Sequence, residues 1–184
     1  RRAASIRMTS FLANLHADLR QALISRRGIA RGRIAQERHK VYPRMEQVVL
    51  PTPAGLACSL DETLARRQSA VRCPESLPLS MSDLGSLLGH GLGQKSGSIR
   101  RSYPSGGALY PVETYLLASE LDGVEPGAFH YNPSAHTLER LWSLPEGTDV
   151  DTLIRSGPDS LAPSALFVFT SVWDRSAVKY GDFA

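Results

Sequence analysis

In residues 101–117, RSYPSGGALYPVETYLL, a loop of Pro, Ser and Gly leads directly into an apolar run, and the rest of the chain is organised around this stretch. The run from Val112 to Ser119 predicts a buried central strand. Gly106 and Gly107 have no Cβ, so the backbone can approach a flat or anionic ligand closely at this point. An ordinary turn before a strand explains the pattern equally well, and the stretch alone leaves both explanations open.

The length of 184 residues and an apolar content of 42% predict one domain, or slightly more, with a real core. No run approaches the roughly 18 apolar residues of a membrane helix, and no secretory signal peptide is visible. The two cysteines, Cys58 and Cys73, do not make a disulfide framework. We therefore expect a cytoplasmic protein with reduced thiols and no membrane partner. Since the sequence does not begin with Met, we expect it to be part of a longer or processed chain.

Charge is distributed unevenly along the chain. Residues 1–44 contain eleven Lys or Arg and two acids, whereas residues 45–184 contain ten Lys or Arg and sixteen acids. This pattern predicts a basic N-terminal helix and extended arm at 1–44, followed by an acidic body. No nucleic-acid-binding motif is present, and aromatic residues do not alternate with the arginines of the arm, so we expect no nucleic-acid partner. The arm would instead contact the acidic body, a second subunit or an anionic substrate.

Apolar spacing and capping patterns predict the helices. Residues 5–26 repeat apolar residues at i, i+3 and i+4, as an amphipathic helix does. Ser59 and Glu62 form a capping-box pattern, which predicts a short helix to about Arg67. Ser80 begins another capped helix, and a further short helix is expected at 148–155. The helix after Ser80 is expected to bury Leu84, Leu87 and Leu88. It is expected to end at Gly89, Gly91 and Gly93.

The remaining apolar runs predict strands. Residues 48–50 fit a short edge strand within the extended arm. Residues 128–131 and 136–142 flank an Asn-Pro-Ser turn and predict a hairpin. The apolar run at 165–172 predicts another buried strand.

Two pairs of residues near these strands are candidates for chemistry. His130 and His136 lie in the hairpin without a third ligand at metal-binding spacing, so we expect cross-strand packing and no metal site. Lys179 and Tyr180 follow the last predicted strand. A lysine can act as a base when burial or a cation lowers its pKa, and a tyrosine can relay a proton. A plain surface pair is the alternative for Lys179 and Tyr180.

A basic cluster follows the capped helix that begins near Ser59. It consists of Arg66, Arg67, Ser69 and Arg72. A guanidinium group binds phosphate through two parallel hydrogen bonds, so the cluster could hold a phosphate group. A solvated helix end with the usual basic residues is the alternative.

Five segments, in order, resemble the nitroreductase-like flavoenzymes, and more narrowly the SagB-type dehydrogenases that form thiazoles and oxazoles. The resemblance covers roughly residues 40–184. The segments are RRQS followed by Arg at 66–72, the Leu-Leu pair at 87–88, YPSGGALYPVE at 103–113, PGAFHYNP at 126–133 and KYGD at 179–182.

This resemblance implies an α+β fold, with a central, mostly antiparallel sheet flanked by helices, and FMN as the cofactor. Residues 45–184 would form the N-terminal part of an FMN-binding domain, because the family continues into a long helix and further cations. The implied assembly is a homodimer with the flavin at the subunit interface. We expect residues 1–184 by themselves to bind FMN poorly.

The resemblance also implies roles for particular residues. Lys179 and Tyr180 would be catalytic. The other residues would bind FMN, the phosphate through Arg66, Arg67, Ser69 and Arg72, and the isoalloxazine ring through Pro104, Ser105, Gly106 and Gly107.

The implied reaction is the two-electron oxidation of a thiazoline or oxazoline in a peptide or carrier-bound substrate. A base takes the Cα proton and a hydride passes to the flavin. Other biosynthetic enzymes or a carrier domain would be partners. Two alternatives stay open: an NAD(P)H-dependent nitroreductase-like reductase, and a non-catalytic flavin-fold scaffold in a biosynthetic complex.

Overall fold

A computed structural model of the chain describes residues 38–69, 78–145, 148, 150 and 163–180, without the side chain of Val178. These residues form a sheet, three helices and one short 3₁₀ turn at Gly106–Ala108. None of the described helices is long and apolar enough to cross a membrane. In chain order the elements are β1 (Glu46–Val49), α1 (Leu60–Arg66), α2 (Met81–Leu92), β2 (Val112–Ala118), β3 (Gly127–Asn132), β4 (Thr137–Ser143), β5 (Ala165–Ser171) and α3 (Trp173–Tyr180).

The five strands form one antiparallel sheet in the order β1-β4-β3-β2-β5. The predicted central strand is confirmed, since β2 lies between β3 and β5. The predicted hairpin is confirmed as β3 and β4, and the predicted edge strand near residues 48–50 is confirmed as β1. Strands paired antiparallel with segregated helices give an α+β architecture, as expected.

The last strand differs from its prediction. In the described sheet β5 pairs only with β2, so it is an edge strand, and none of its residues is buried. Phe169 is 57% exposed. An apolar run indicates which residues could be buried, but the neighbouring elements decide which of them are.

One face of the sheet carries the apolar core. The strand register aligns Leu116 with Phe129 and Tyr131 with Leu138, so alternate residues of β2, β3 and β4 meet on this face. Helix α2 covers the same face with Leu84 and Leu88. The core consists of Leu50, Leu84, Leu88, Leu116, Ala118, Leu121, Phe129, Tyr131 and Leu138.

Helix α2 begins as predicted, because the Ser80 hydroxyl accepts a hydrogen bond from the Asp83 N–H at 3.0 Å. Its predicted face and end are partly wrong. Leu87 is 56% exposed, since it lies at the margin of the stripe formed by Leu84 and Leu88. The helix also continues to Leu92, with Gly93 as its C-cap.

Two of the glycines of α2 serve packing rather than helix termination. A Cβ on Gly89 would lie 2.2 Å from Pro53 Cγ, and a Cβ on Gly85 would lie 2.7 Å from the Pro51 oxygen. The chain around residues 51–53 therefore runs directly over the helix at these positions.

The capping box of α1 is confirmed. The Ser59 hydroxyl accepts from the Glu62 N–H, and the Glu62 carboxylate accepts from the Ser59 N–H. The helix ends at Arg66, close to the expected Arg67. The helix predicted at 5–26 lies outside the described residues, as does most of the helix predicted at 148–155.

Candidate functional site

The loop before β2 has an unusual backbone. Gly107, Ala108 and Tyr110 have φ values of 62°, 55° and 47°, in the left-handed region. This conformation costs a non-glycine residue roughly 1–2 kcal/mol, so other contacts must hold the loop. The Ser105 hydroxyl supplies one of them by accepting from the Tyr110 N–H at 2.9 Å.

The same loop lies against the C-terminal end of α3. A Cβ on Gly107 would lie 2.8 Å from Lys179 Cδ, 2.9 Å from Lys179 Nζ and 3.2 Å from the Tyr180 hydroxyl. A Cβ on Gly106 would lie 3.4 Å from that hydroxyl. Two segments about seventy residues apart in the sequence therefore meet at one point, and the absence of a side chain on Gly107 makes this possible.

Lys179 and Tyr180 are both exposed at this point. Lys179 Nζ lies 5.6 Å from the centroid of the Tyr180 ring. An amine, a phenol and an exposed stretch of backbone without side chains thus share one surface. Such a surface can bind a flat ring and exchange protons with a molecule on it.

Arg175 attaches α3 to the body of the protein. Its side chain is buried, Nη1 donates to the Tyr110 carbonyl at 3.0 Å, and Nη2 lies 2.5 Å from Glu113 Oε1. One guanidinium group therefore binds both the end of the glycine loop and Glu113, the second residue of β2.

A buried polar network lies on the face of the sheet opposite the core. His130 Nε2 is 2.9 Å from Glu113 Oε2, and His130 Nδ1 is 2.8 Å from Glu139 Oε2. Asn132 donates its amide to Glu139 Oε1 at 3.1 Å. With Arg175, the network joins two carboxylates, one imidazole and one guanidinium group.

The carboxylates of this network accept several hydrogen bonds. The backbone N–H groups of Lys40 and Tyr42 donate to Glu113 and Glu139, respectively, and each ring nitrogen of His130 lies within hydrogen-bond distance of one of these carboxylates. Burial raises the pKa of Glu113, but the hydrogen bond from His130 and the charge of Arg175 outweigh burial and leave it below its usual value.

A short segment before β1 covers the network. Arg38 donates to the Ala108 carbonyl at 2.8 Å, and Arg101 donates to the Arg38 carbonyl. Burial lowers the pKa of Lys40, whose ammonium lies 3.4 Å from the Tyr115 hydroxyl. This segment thus joins the glycine loop to the polar face of the sheet.

The residues predicted to bind a phosphate are exposed where the structure describes them. Arg66, Arg67 and Ser69 are exposed at the end of α1, and none of the residues of that helix is buried in the described part of the chain. Arg72 lies outside the described residues. The structure therefore brings the glycine loop together with Lys179 and Tyr180, while no buried contact joins α1 to them among the described residues.

Comparison with known proteins gives the relationships of the chain. No protein-family model matches it. MJ1384 of Methanocaldococcus jannaschii, provisionally named a nitroreductase, is 29% identical over 124 residues, which are 67% of this chain and 62% of MJ1384. The trifolitoxin-processing protein TfxB of Rhizobium leguminosarum bv. trifolii is 34% identical over 90 residues, 45% of this chain and 23% of TfxB. The microcin B17-processing protein McbC of Escherichia coli is 34% identical over 93 residues, 46% of this chain and 33% of McbC.

Two solved structures share the fold. A provisionally named nitroreductase from Ralstonia eutropha has a TM-score of 0.52 at 22% identity, over 72% of this chain and 59% of that one. Another from Anabaena variabilis has a TM-score of 0.51 at 19% identity, over 78% of this chain and 28% of that one. In sequence the chain is similar to the peptide-processing proteins TfxB and McbC, and in structure it has the nitroreductase-like fold. These similarities support the predicted SagB-type relationship, and the predicted fold class is confirmed.

The match to these three relatives is partial. The chain spans 62%, 23% and 33% of the lengths of MJ1384, TfxB and McbC, which is less than two thirds in each case.

The described residues fit the ring of FMN, the cofactor that the resemblance implies. Gly106 and Gly107 offer an exposed backbone without Cβ atoms, beside the amine of Lys179 and the hydroxyl of Tyr180. Pro104 is exposed and Ser105 is half-buried, with its hydroxyl bonded to the Tyr110 N–H. The basic side chains at the end of α1 have the donor chemistry that a phosphate requires.

The buried network was not predicted from the sequence. The expected cross-strand packing of His130 is confirmed, because His130 pairs with Glu139 in the register of β3 and β4. Glu113, Glu139 and Arg175 were not identified as candidate residues. The available signal was the occurrence of a charged residue within each of two apolar strands, because such a charge is rarely buried without a partner.

Proposed function

We propose that the protein is an FMN-dependent dehydrogenase that converts thiazolines or oxazolines in a peptide to thiazoles or oxazoles. The observation that carries this proposal is the convergence of Lys179 Nζ and the Tyr180 hydroxyl on the glycine loop. These atoms lie 2.9 and 3.2 Å from the position that a Cβ of Gly107 would occupy. Similarity to a trifolitoxin-processing protein and a microcin B17-processing protein supports a peptide natural product as substrate.

Azoline oxidation needs a base at the substrate Cα, because a proton and a hydride leave the ring. The amine of Lys179 is the proposed base, and the hydroxyl of Tyr180 is proposed to orient the substrate and relay the proton. FMN, when bound, supplies the two-electron acceptor. Because Lys179 Nζ and the Tyr180 hydroxyl both approach Gly107, they would act on the same substrate atom.

The remaining roles follow from the same proposal. Pro104, Ser105, Gly106 and Gly107 would contact the isoalloxazine ring. The proposed assembly is a cytoplasmic homodimer that receives a peptide or carrier-bound substrate from other biosynthetic enzymes. The phosphate would be held by the basic cluster Arg66, Arg67, Ser69 and Arg72.

The test is azole formation by the full-length protein supplied with FMN and an azoline peptide, with the loss of two hydrogens followed by mass spectrometry. Lys179→Ala is expected to lower kcat by about 10²- to 10⁴-fold, the usual contribution of a general base, and to leave the flavin absorbance of the protein unchanged. Lys95→Ala, which removes an exposed lysine without a described contact to Lys179 or Tyr180, is the control and should retain full activity.

Other results would reject the proposal. Full azole formation by Lys179→Ala would remove the lysine from the mechanism. NAD(P)H-dependent reduction of a nitroaromatic, unchanged by Lys179→Ala and without azole formation, would support the reductase alternative. A full-length protein that binds no flavin would support the scaffold.

A further inference from the structure

Arg175 is buried, unlike the site residues Lys179 and Tyr180 on the same helix. It is 3% exposed, whereas Lys179, one helical turn later, is exposed to solvent. An arginine is rarely buried to this extent unless it is paired. The helix thus has a buried cation at one turn and the proposed base at the next.

The two contacts of Arg175 reach both sides of the glycine loop. Nη1 binds the carbonyl of Tyr110, the last left-handed residue of the loop, at 3.0 Å, and Nη2 binds Glu113 on β2 at 2.5 Å. The planar guanidinium holds its donors in a fixed geometry. The loop and the helix therefore cannot move apart without breaking one of these bonds.

Glu113, which binds Arg175, is itself held in place by further hydrogen bonds. Glu113 is held by His130, and His130 is held by Glu139, so the bonds continue from β2 into β3 and β4. All three side chains are 1% exposed or less. A displacement of Arg175 would leave the Glu113 carboxylate buried without its guanidinium partner.

We infer that Arg175 is a positioning residue, which holds Lys179 and Tyr180 against Gly106 and Gly107. The expected effect of Arg175 on catalysis rests on the proposed function. The structural part of the inference, that Arg175 joins the loop to α3, is independent of the proposed function. A misplacement of catalytic groups by about 1 Å can cost roughly 10²-fold in rate, so a residue that touches no substrate can still control kcat.

The test compares Arg175→Lys with the wild-type full-length protein. Lysine keeps the positive charge near Glu113, but its single ammonium group cannot reproduce the two directed bonds of the guanidinium. We expect kcat for azole formation to fall at least tenfold, by the same positioning argument, while KM for the peptide stays unchanged. A purely stabilising arginine would leave kcat unchanged at a temperature where both proteins are folded.

Hydrogen exchange measured by mass spectrometry provides a second readout that needs neither flavin nor substrate. In Arg175→Lys the peptides covering residues 101–110 and 173–180 should lose protection together, while those of the β3–β4 hairpin should not change. Arg140→Lys is the matched control, because Arg140 lies on β4, pairs with Glu46 at 2.9 Å and contacts neither the loop nor α3 in the described contacts.

The two readouts separate the two proposals. If the wild-type protein forms no azole, the proposed function fails, and the exchange pattern still decides whether Arg175 joins the loop to α3. Unchanged exchange in both segments would overturn the inference. Altered exchange with an unchanged kcat would overturn it as well, because Arg175 would then fix the loop without any effect on the chemistry.

Discussion

Gly107 combines two constraints that usually occur apart. Its φ of 62° lies in the left-handed region, and the space where its Cβ would be is occupied by the side chain of Lys179. Either constraint favours glycine by itself. Their coincidence explains why a double glycine is followed, about seventy residues later, by a lysine and a tyrosine at the same surface.

Replacing Gly107 by alanine separates these constraints when Gly97→Ala is used for comparison. Gly97 has a φ of 67° and no atom within 4 Å of its Cβ position, so its variant bears only the conformational penalty of about 1–2 kcal/mol. Gly107→Ala should lose a similar free energy of unfolding in urea, because the flexible end of the exposed Lys179 side chain can move aside. It should nevertheless lose azole formation, since the new methyl group displaces Lys179, whereas Gly97→Ala should keep it. Retained azole formation in Gly107→Ala would show that the contact with Lys179 is unimportant.

At the scale of elements, local patterns predicted most of the secondary structure. The Ser59 and Ser80 caps, the β3–β4 hairpin and β2 all follow from residues that lie next to one another in the sequence. Helix α3 was not predicted, because it has two turns and no recognisable capping pattern. Its cause is tertiary, since Arg175 fastens it to β2 and to the loop.

The glycines of α2 show where local reasoning fails. Three glycines within five residues, at positions 89, 91 and 93, were expected to end the helix, but the helix continues to Leu92. Tertiary packing at Gly89 outweighs the low helix propensity of glycine. For the same reason the site was only partly predictable: the motifs at 103–107 and 179–180 are local, whereas the register that aligns His130 with Glu139 is not.

Two substitutions in α2 should have opposite effects. Gly91→Ala places a methyl group in open space and should raise the free energy of unfolding by about 0.5–1 kcal/mol through helix propensity. Gly89→Ala places it 2.2 Å from Pro53 Cγ and should lower the stability, because residues 51–53 must move. Thermal or urea unfolding measures both. A stabilising Gly89→Ala would mean that this segment does not pack on the helix.

At the scale of the whole molecule, the two faces of the sheet are held by different forces. One face is apolar and covered by α2, and burial of its leucines and aromatic rings supplies the hydrophobic stabilisation. The other face carries the buried polar network of Glu113, His130, Glu139 and Arg175, under residues 38–42. A network of this kind contributes little net stability when intact, but the loss of one member is expensive. The polar face therefore fixes the geometry around the site more than it adds to stability.

This arrangement predicts a specific sensitivity to acid. Glu113 has a pKa below its ordinary value of 4.5 in the folded protein, because the hydrogen bond from His130 and the charge of Arg175 outweigh burial. As the pH falls past 4.5 the unfolded chain takes up a proton at this residue before the folded chain does, so the free energy of unfolding decreases. The stabilisation is complete above about pH 4.5 and is lost as the pH approaches the lowered pKa.

Urea denaturation between about pH 6 and pH 3 measures this contribution. Glu113→Gln should be less stable than the wild type at neutral pH by about 3–5 kcal/mol, because His130 and Arg175 lose a buried counter-charge. Its free energy of unfolding should also fall less steeply below about pH 4.5, since the titrating group is gone. Glu46→Gln is the control, because it removes the same charge from an exposed side chain and should keep the wild-type slope. Parallel slopes for Glu113→Gln and the wild type would show that Glu113 does not carry the acid sensitivity, and that the balance of charge around Arg175 is maintained in some other way.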